Sequence, residues 1–172
     1  DEIKNALRTR TYERAGARLG ALAAQHAFYE TAFIALPEKG APVLSSAVPG
    51  YEGRDTGKLG LPDDYVALKN GSPVLGRVFI SPVSGKPCIA LCVPVMDGTK
   101  VTGLTGISMR LSALSASLRQ DYRIGETGYP FIADGGLVCI AHPDAKMAGT
   151  DIVTIRLFDA TGKMGRLVKY RG

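Results

Sequence analysis

The chain has 172 residues, of which 45% are hydrophobic and 22% charged, with a formal net charge of +5. Such a mixture describes a soluble globular protein, excludes the disordered and fibrous classes, and is long enough to bury a core of ordinary size. The excess of 21 basic over 16 acidic residues is dispersed, without a run of three or aromatic interleaving, so it reads as solvated side chains and not as a nucleic-acid surface.

No apolar run approaches the roughly 20 residues that cross a bilayer. The opening "DEIKNALRTRTYERAG" lacks the apolar centre of a secretory signal, and its abrupt start is read as a cut from a longer chain. Cys88 and Cys92 lie four apart on an expected strand, about 13 Å from each other and too far to be bridged. Both read as small buried apolar residues, and with Cys139 they leave the redox compartment open.

Residues 1 to 27 carry Ile3, Leu7, Ala15, Leu19, Leu22 and His26 at helical spacings, which predicts one long amphipathic helix. "YETAFIALPEKGAPVLSS" predicts a hairpin turning at Pro-Glu-Lys-Gly. Residues 47 to 60 are glycine-rich and aperiodic, hence a loop. Within it "GRDTGKL" resembles a phosphate loop only superficially: three residues separate its glycines instead of four, and Leu59 stands where Ser or Thr would hold magnesium. A short helix over "LPDDYVALKNG" follows, with Pro62 and Asp63 suited to its first turn and Gly71 to its stop. Three strands come next: "PVLGRVFISP", "PCIALCVPV" and "KVTGLTGISMRL", joined by glycine-containing turns that impose antiparallel order. "RLSALSASLRQDY" returns to helical spacing. "GETGYPFIADGGLVCIAHPD" then predicts a second hairpin, and residues 151 to 172 a helix, a loop and a strand, "RLVKY".

The predicted fold is therefore α+β: a long helix, then a five-stranded antiparallel sheet flanked by helices, then the beginning of a second such unit. His142 is the residue on which an enzymatic reading would turn. Pro143 after it forbids helix and Asp144 can cap the turn beyond, so it reads as the end of a strand. The other histidine, His26, falls in the first helix, no acid-rich or cysteine-rich cluster accompanies either one, and no nucleophile-elbow or zinc-helix motif occurs. No catalytic residue, metal ligand or cofactor is assigned.

"SPVSGKPCIALCVPVMDGTKVTGLTGISMRLSALSASL" followed by "GETGYPFIADGGLVCIAHPDAKMAGTDI" resembles the extracytoplasmic double Cache sensor modules of bacterial chemoreceptors and histidine kinases, most strongly over residues 81 to 151. The resemblance implies a membrane-distal PAS-like domain at 28–119 after a long helix at 1–27, and the first part of a membrane-proximal PAS-like domain at 120–172. It further implies a periplasmic location, a membrane-anchored parent protein, a homodimer through the first helix, and a small organic ligand in a chamber between sheet and short helix. The output would be that of a methyl-accepting chemotaxis protein, with a histidine kinase, a diguanylate cyclase or a non-binding interaction module as alternatives.

For that chamber, alternation along "GRVFIS" puts Arg77, Phe79 and Ser81 on one face, either lining the cavity or facing solvent from an edge strand. The resemblance adds Asp64 and Tyr65 from the short helix and Ser108 from the third central strand. Helix packing for Tyr65 and capping for Asp63 and Asp64 are equal alternatives. The amino-acid-binding members' Arg falls here at Pro62, their first aromatic at Asp64, and their acids at Ser81 and Ser108, which argues against an amino-acid ligand. Arg77, with its planar fork, points instead to a carboxylate.

Overall fold

A computed structural model describes residues 2–38, 40–61, 68, 70–121, 124–126, 128–134 and 136–152. Two helices open it, α1 (Glu2–Thr9) and α2 (Glu13–Ala23), where a single helix was expected. The break falls at Arg10, whose φ of 57° lies in the left-handed region that a helix cannot pass through. The bend is rewarded by packing. Ala6 of α1 joins Ala15 and Leu19 of α2 in one buried cluster with Ala32 and Ile34 of the sheet, and Ile3, Leu7 and Leu22 pack against it. The apolar stripe of residues 1 to 27 is thus spent on the chain's own sheet.

The sheet contains β1 (Tyr29–Ala35), β2 (Val43–Ser46), β3 (Val74–Leu75), β4 (Phe79–Ile80), β5 (Pro87–Asp97) and β6 (Lys100–Arg110). Its order is β2-β1-β6-β5-β3, with β4 also on β5, and every pairing is antiparallel. All the expected hairpins form. The sixth strand arises because "PVLGRVFISP" is interrupted: Arg77 gives its backbone N–H to Gly60 at 2.6 Å instead of to β5. Alternation therefore restarts at Phe79, which is why Arg77 is exposed while Phe79 and Ser81 are buried.

The two sheet faces carry different layers. On one face α1 and α2 cover Ala32, Ile34 and Ile107, while α3 (Leu111–Asp121) sets Leu111 against Ile89 and Ile140. On the other face Phe33, Val43, Phe79, Cys88, Ala90, Cys92 and Leu104 form a buried cluster with Tyr51, Leu59, Leu61 and Leu68 from the segment crossing above. That segment is more ordered than its composition implies. Asp55 accepts the Gly57 N–H at 2.7 Å and starts a 3-10 turn at Thr56–Leu59, which Gly60 ends with φ 78°. The short helix expected over residues 61 to 70 falls, except for Leu61, Leu68 and Asn70, outside the described residues, and so do Asp64 and Tyr65.

Beyond α3, β7 (Ile132–Ala133) and β8 (Cys139–Ala141) make the second hairpin, with buried Ile140 facing Leu111. The expected helix and strand from residue 153 onward also lie outside the described residues. His142 closes β8 as turn chemistry requires. Its Nδ1 accepts the Asp144 N–H at 2.9 Å, its own N–H goes to Ser115 Oγ at 3.2 Å, and its ring meets Tyr129 edge-on. Among the described residues no helix is long and apolar enough to cross a membrane.

Candidate ligand-binding site

One place on the face opposite the helices breaks its apolar character. Strand β1 shifts register against β6 between Tyr29 and Thr31: Tyr29 pairs with Met109 and Thr31 with Ser108, so Glu30 is the extra residue of a β-bulge. In regular alternation the neighbours of Thr31 point toward the helices, but a bulge re-aims the side chain of its extra residue. The Glu30 carboxylate accordingly joins the face that carries Phe33 and Cys88. Just upstream, the Arg110 guanidinium donates to the Ala27 carbonyl at 2.6 Å and the Tyr29 carbonyl at 3.0 Å, which holds the entry to β1 in place.

Four side chains from three other segments donate to this carboxylate. Tyr51 reaches it from the crossing segment at 3.0 Å, Ser84 from the β4–β5 turn at 2.9 Å, and Cys88 from β5 at 3.2 Å, while Ser81 makes a short hydrogen bond to it. Ser81 is itself positioned by the N–H groups of Val83 and Ser84, which both donate to its oxygen at 3.1 Å. Ser108 stands beside Tyr51 and Cys88, near enough to favour their ionised forms. Yet its oxygen is fully buried and meets no partner at hydrogen-bonding geometry.

The electrostatics follow from these contacts. Burial pushes the Glu30 carboxyl upward, but the bonds from Ser81, Cys88, Ser84 and Tyr51 outweigh it and hold the group below the usual carboxylate range. Burial, reinforced by the nearby carboxylate, drives Tyr51 and Cys88 the other way, each to about 12. The site is thus one fixed negative charge ringed by neutral donors. The Arg110 guanidinium lies near enough to Cys88, one of these donors, to act on it electrostatically.

A pH dependence follows. A carboxylate with a depressed folded-state pKa contributes stability that is complete above the unfolded-state pKa, about 4.3 for a free glutamate, and is lost as pH falls through the folded value. Denaturant midpoints measured from pH 7 downward are expected to fall more steeply in the wild type than in Glu30→Gln. Parallel acid limbs would show that these contacts do not hold the charge.

The structure therefore unites Ser81 and Ser108 around a group that alternation assigned elsewhere. Phe79 is buried beside them in the apolar cluster, whereas Arg77 is exposed and outside it. The expectation of a carboxylate clamp at Arg77 is corrected accordingly. Glu30, Tyr51, Ser84 and Cys88 were not anticipated. An acid inside the apolar run "YETAFIA" was the available signal for the first of them. The expected chamber is also narrower than supposed, since Phe33, Tyr51, Leu59 and Phe79 fill much of that face. A separate open cleft of about 900 Å³ lies at α1 and α2, with Arg8, Arg14, Asp97 and Thr102 on its walls, away from the buried hydroxyls.

No protein-family model matches the sequence, and no curated protein matches it either. Solved structures do. The ligand-binding domain of the Pseudomonas fluorescens chemoreceptor CtaA, in complex with L-serine, superposes with a TM-score of 0.56 at 18% identity, over 90% of this chain and 66% of that one. The ligand-binding domain of the Pseudomonas aeruginosa PAO1 amino acid chemoreceptor PctB, in complex with L-Arg, gives 0.53 at 16% identity, over 94% and 68%. The sensor domain of the V. cholerae histidine kinase DctB gives 0.60 at 16% identity, over 86% and 56%. This chain spans between 56% and 68% of the length of these three. Its fold is that of the Cache-type sensor domains of bacterial chemoreceptors and histidine kinases, in keeping with the resemblance read from the sequence.

Proposed function

We propose that this chain is the small-molecule-sensing part of a membrane-anchored bacterial receptor, exposed in the periplasm, with residues 28–119 as its membrane-distal domain and 120–172 as the start of a membrane-proximal one. The observation that carries the reading is the polar cluster around Glu30, gathered on the covered face of a sheet whose fold matches ligand-binding and sensor domains. Buried hydroxyls gathered on an otherwise apolar wall are the usual equipment of a small-ligand site. The protein binds and releases its ligand unchanged and needs no cofactor.

Signalling on this reading is a shift between two arrangements of the site, limited by the difference in ligand affinity between them, about 1.4 kcal/mol per tenfold. The route starts at the bulge. Glu30 lies seven residues past the end of α2 at Ala23, and the intervening turn is clasped by Arg110, so a change at the carboxylate reaches the helical layer directly. A methyl-accepting chemotaxis output agrees with the chemoreceptor neighbours. A kinase output is the second reading, favoured by the fit to the DctB sensor domain. Pairing of two chains would have to use a surface other than the buried stripe of α1 and α2.

A thermal-shift screen of the chain against amines, organic acids, sugars and amino acids tests the reading. At least one class is expected to raise the melting temperature with saturable concentration dependence, since a ligand stabilises by RT ln(1 + [L]/Kd). A flat response to every class would favour a filled interaction module and end the sensing proposal.

A further inference from the structure

We infer that α1 is a hinged arm with two positions. In the bent state it lies docked on the β5–β6 hairpin, and in the straight state it is released and runs on from α2 as a single helix, with Arg10 as the joint. The inference concerns the helical layer and does not depend on what the Glu30 cluster binds.

Three observations carry it. The first is that nothing local makes the bend. Residues 8 to 14, "RTRTYER", hold no glycine or proline, and Tyr12, which stands before α2, makes no side-chain capping bond. Arg10 nonetheless takes φ 57°, a conformation costly for any residue with a Cβ, and the break creates two further helix ends whose backbone groups lack helical partners. Straightening removes both costs. The second is that the apolar stripe does not require the bend. Ile3, Leu7, Ala15, Leu19 and Leu22 follow one another at steps of four, eight, four and three, which lie along one side of a straight helix with only Thr11 between the two halves.

The third is the narrowness of the docking that selects the bent state. Ala6 is buried, but Ile3 and Leu7 are only partly so. Leu7 seats on Gly103 of β6, where an added Cβ would come within 2.5 Å of its Cδ1. Beside this seat the open cleft of about 900 Å³ lies between α1 and the end of the hairpin at Asp97 and Thr102. A few apolar side chains thus hold the arm against a helix that its own sequence would continue. The strands it docks on, β5 and β6, also carry Cys88 and Ser108 of the polar cluster, so the arm rests on a wall of the candidate site.

The test follows backbone chemical shifts and amide exchange by nuclear magnetic resonance on the whole chain and its variants. Gly103→Val fills the seat of Leu7. It is expected to move the Cα shifts of residues 10 to 12 to helical values and to slow exchange of the Thr11 to Glu13 amides by about tenfold, the order set by relieving one left-handed residue. Adding Arg10→Gly to that variant should reverse much of the change, because glycine accepts the left-handed conformation and weakens a continuous helix. If Gly103→Val does not fold, Leu7→Ala empties the seat from the side of the arm, with the same readouts. Arg10 keeping left-handed shifts after the seat is lost would mean that the bend is fixed. Random-coil shifts across residues 2 to 9 would mean that α1 melts on release. Either result overturns the hinge and leaves the sensing reading untouched.

Discussion

Gly60→Ala is expected to lower stability by about 3 kcal/mol or more, combining left-handed strain with overpacking. A Cβ at this position would lie 2.2 Å from the Arg77 carbonyl oxygen, and the residue holds φ +78°. Neither problem is relieved by rotating a side chain, because the obstacle is backbone. Gly60 forms a seam with Gly76, where a Cβ would sit 2.7 Å from the Gly60 oxygen, and the Arg77 N–H bonds across that seam at 2.6 Å. The seam fastens the crossing segment, with Tyr51 in it, to the edge of the sheet. A fall in melting temperature of about 6–12 °C is the corresponding signal in calorimetry. A shift below about 2 °C would mean that the seam opens freely, and Tyr51 would then not be held over Glu30 by it.

The second large effect belongs to Gly106→Ala, at the centre of the sheet. Phe33 and Cys92 are its paired neighbours on β1 and β5, so all three share a face. A Cβ at 106 would approach Phe33 Cζ to 2.4 Å and Cys92 Sγ to 2.7 Å. Overpacking of this kind costs about 1–3 kcal/mol, and here the ring belongs to a buried cluster that also holds Tyr51 and Leu104. Phe33→Leu should partly rescue the alanine variant, with a coupling of about 1 kcal/mol in a double-mutant cycle by urea denaturation. Strict additivity of the two changes would place the clash elsewhere.

These two glycines show how far the sequence could be read. Gly106 sits where strand alternation allowed any small residue, and nothing local announced that a phenyl ring occupies its missing side chain. Gly60 was legible as part of a loop, but its contact is with residue 77, across a segment that pattern alone cannot fold back. The helix break at Arg10 was equally hidden. The apolar spacing runs through residues 1 to 27 almost undisturbed, and only packing of both pieces on one sheet face selects two helices over one. The hairpins were plain, by contrast, because their turns and periods are local properties.

The site divides in the same way. Ser81 and Ser108 were accessible to strand geometry and family resemblance, and the structure sets both near Tyr51. Glu30 was not, since a bulge reverses the face that alternation assigns, and a register slip depends on what the neighbouring strand offers. Arg77 failed for the converse reason: its strand is interrupted by a bond to Gly60, so its period does not extend to residue 79.

What the sequence determined by itself was the α+β class, the antiparallel order of hairpins and the absence of a local catalytic motif, because these follow from short-range periods and turn chemistry. The tertiary structure decided the sign of the charge in the site and which side chains surround it. Those depend on one skipped pairing between β1 and β6 and on a loop crossing the sheet, contacts between residues far apart in the chain that no local pattern encodes.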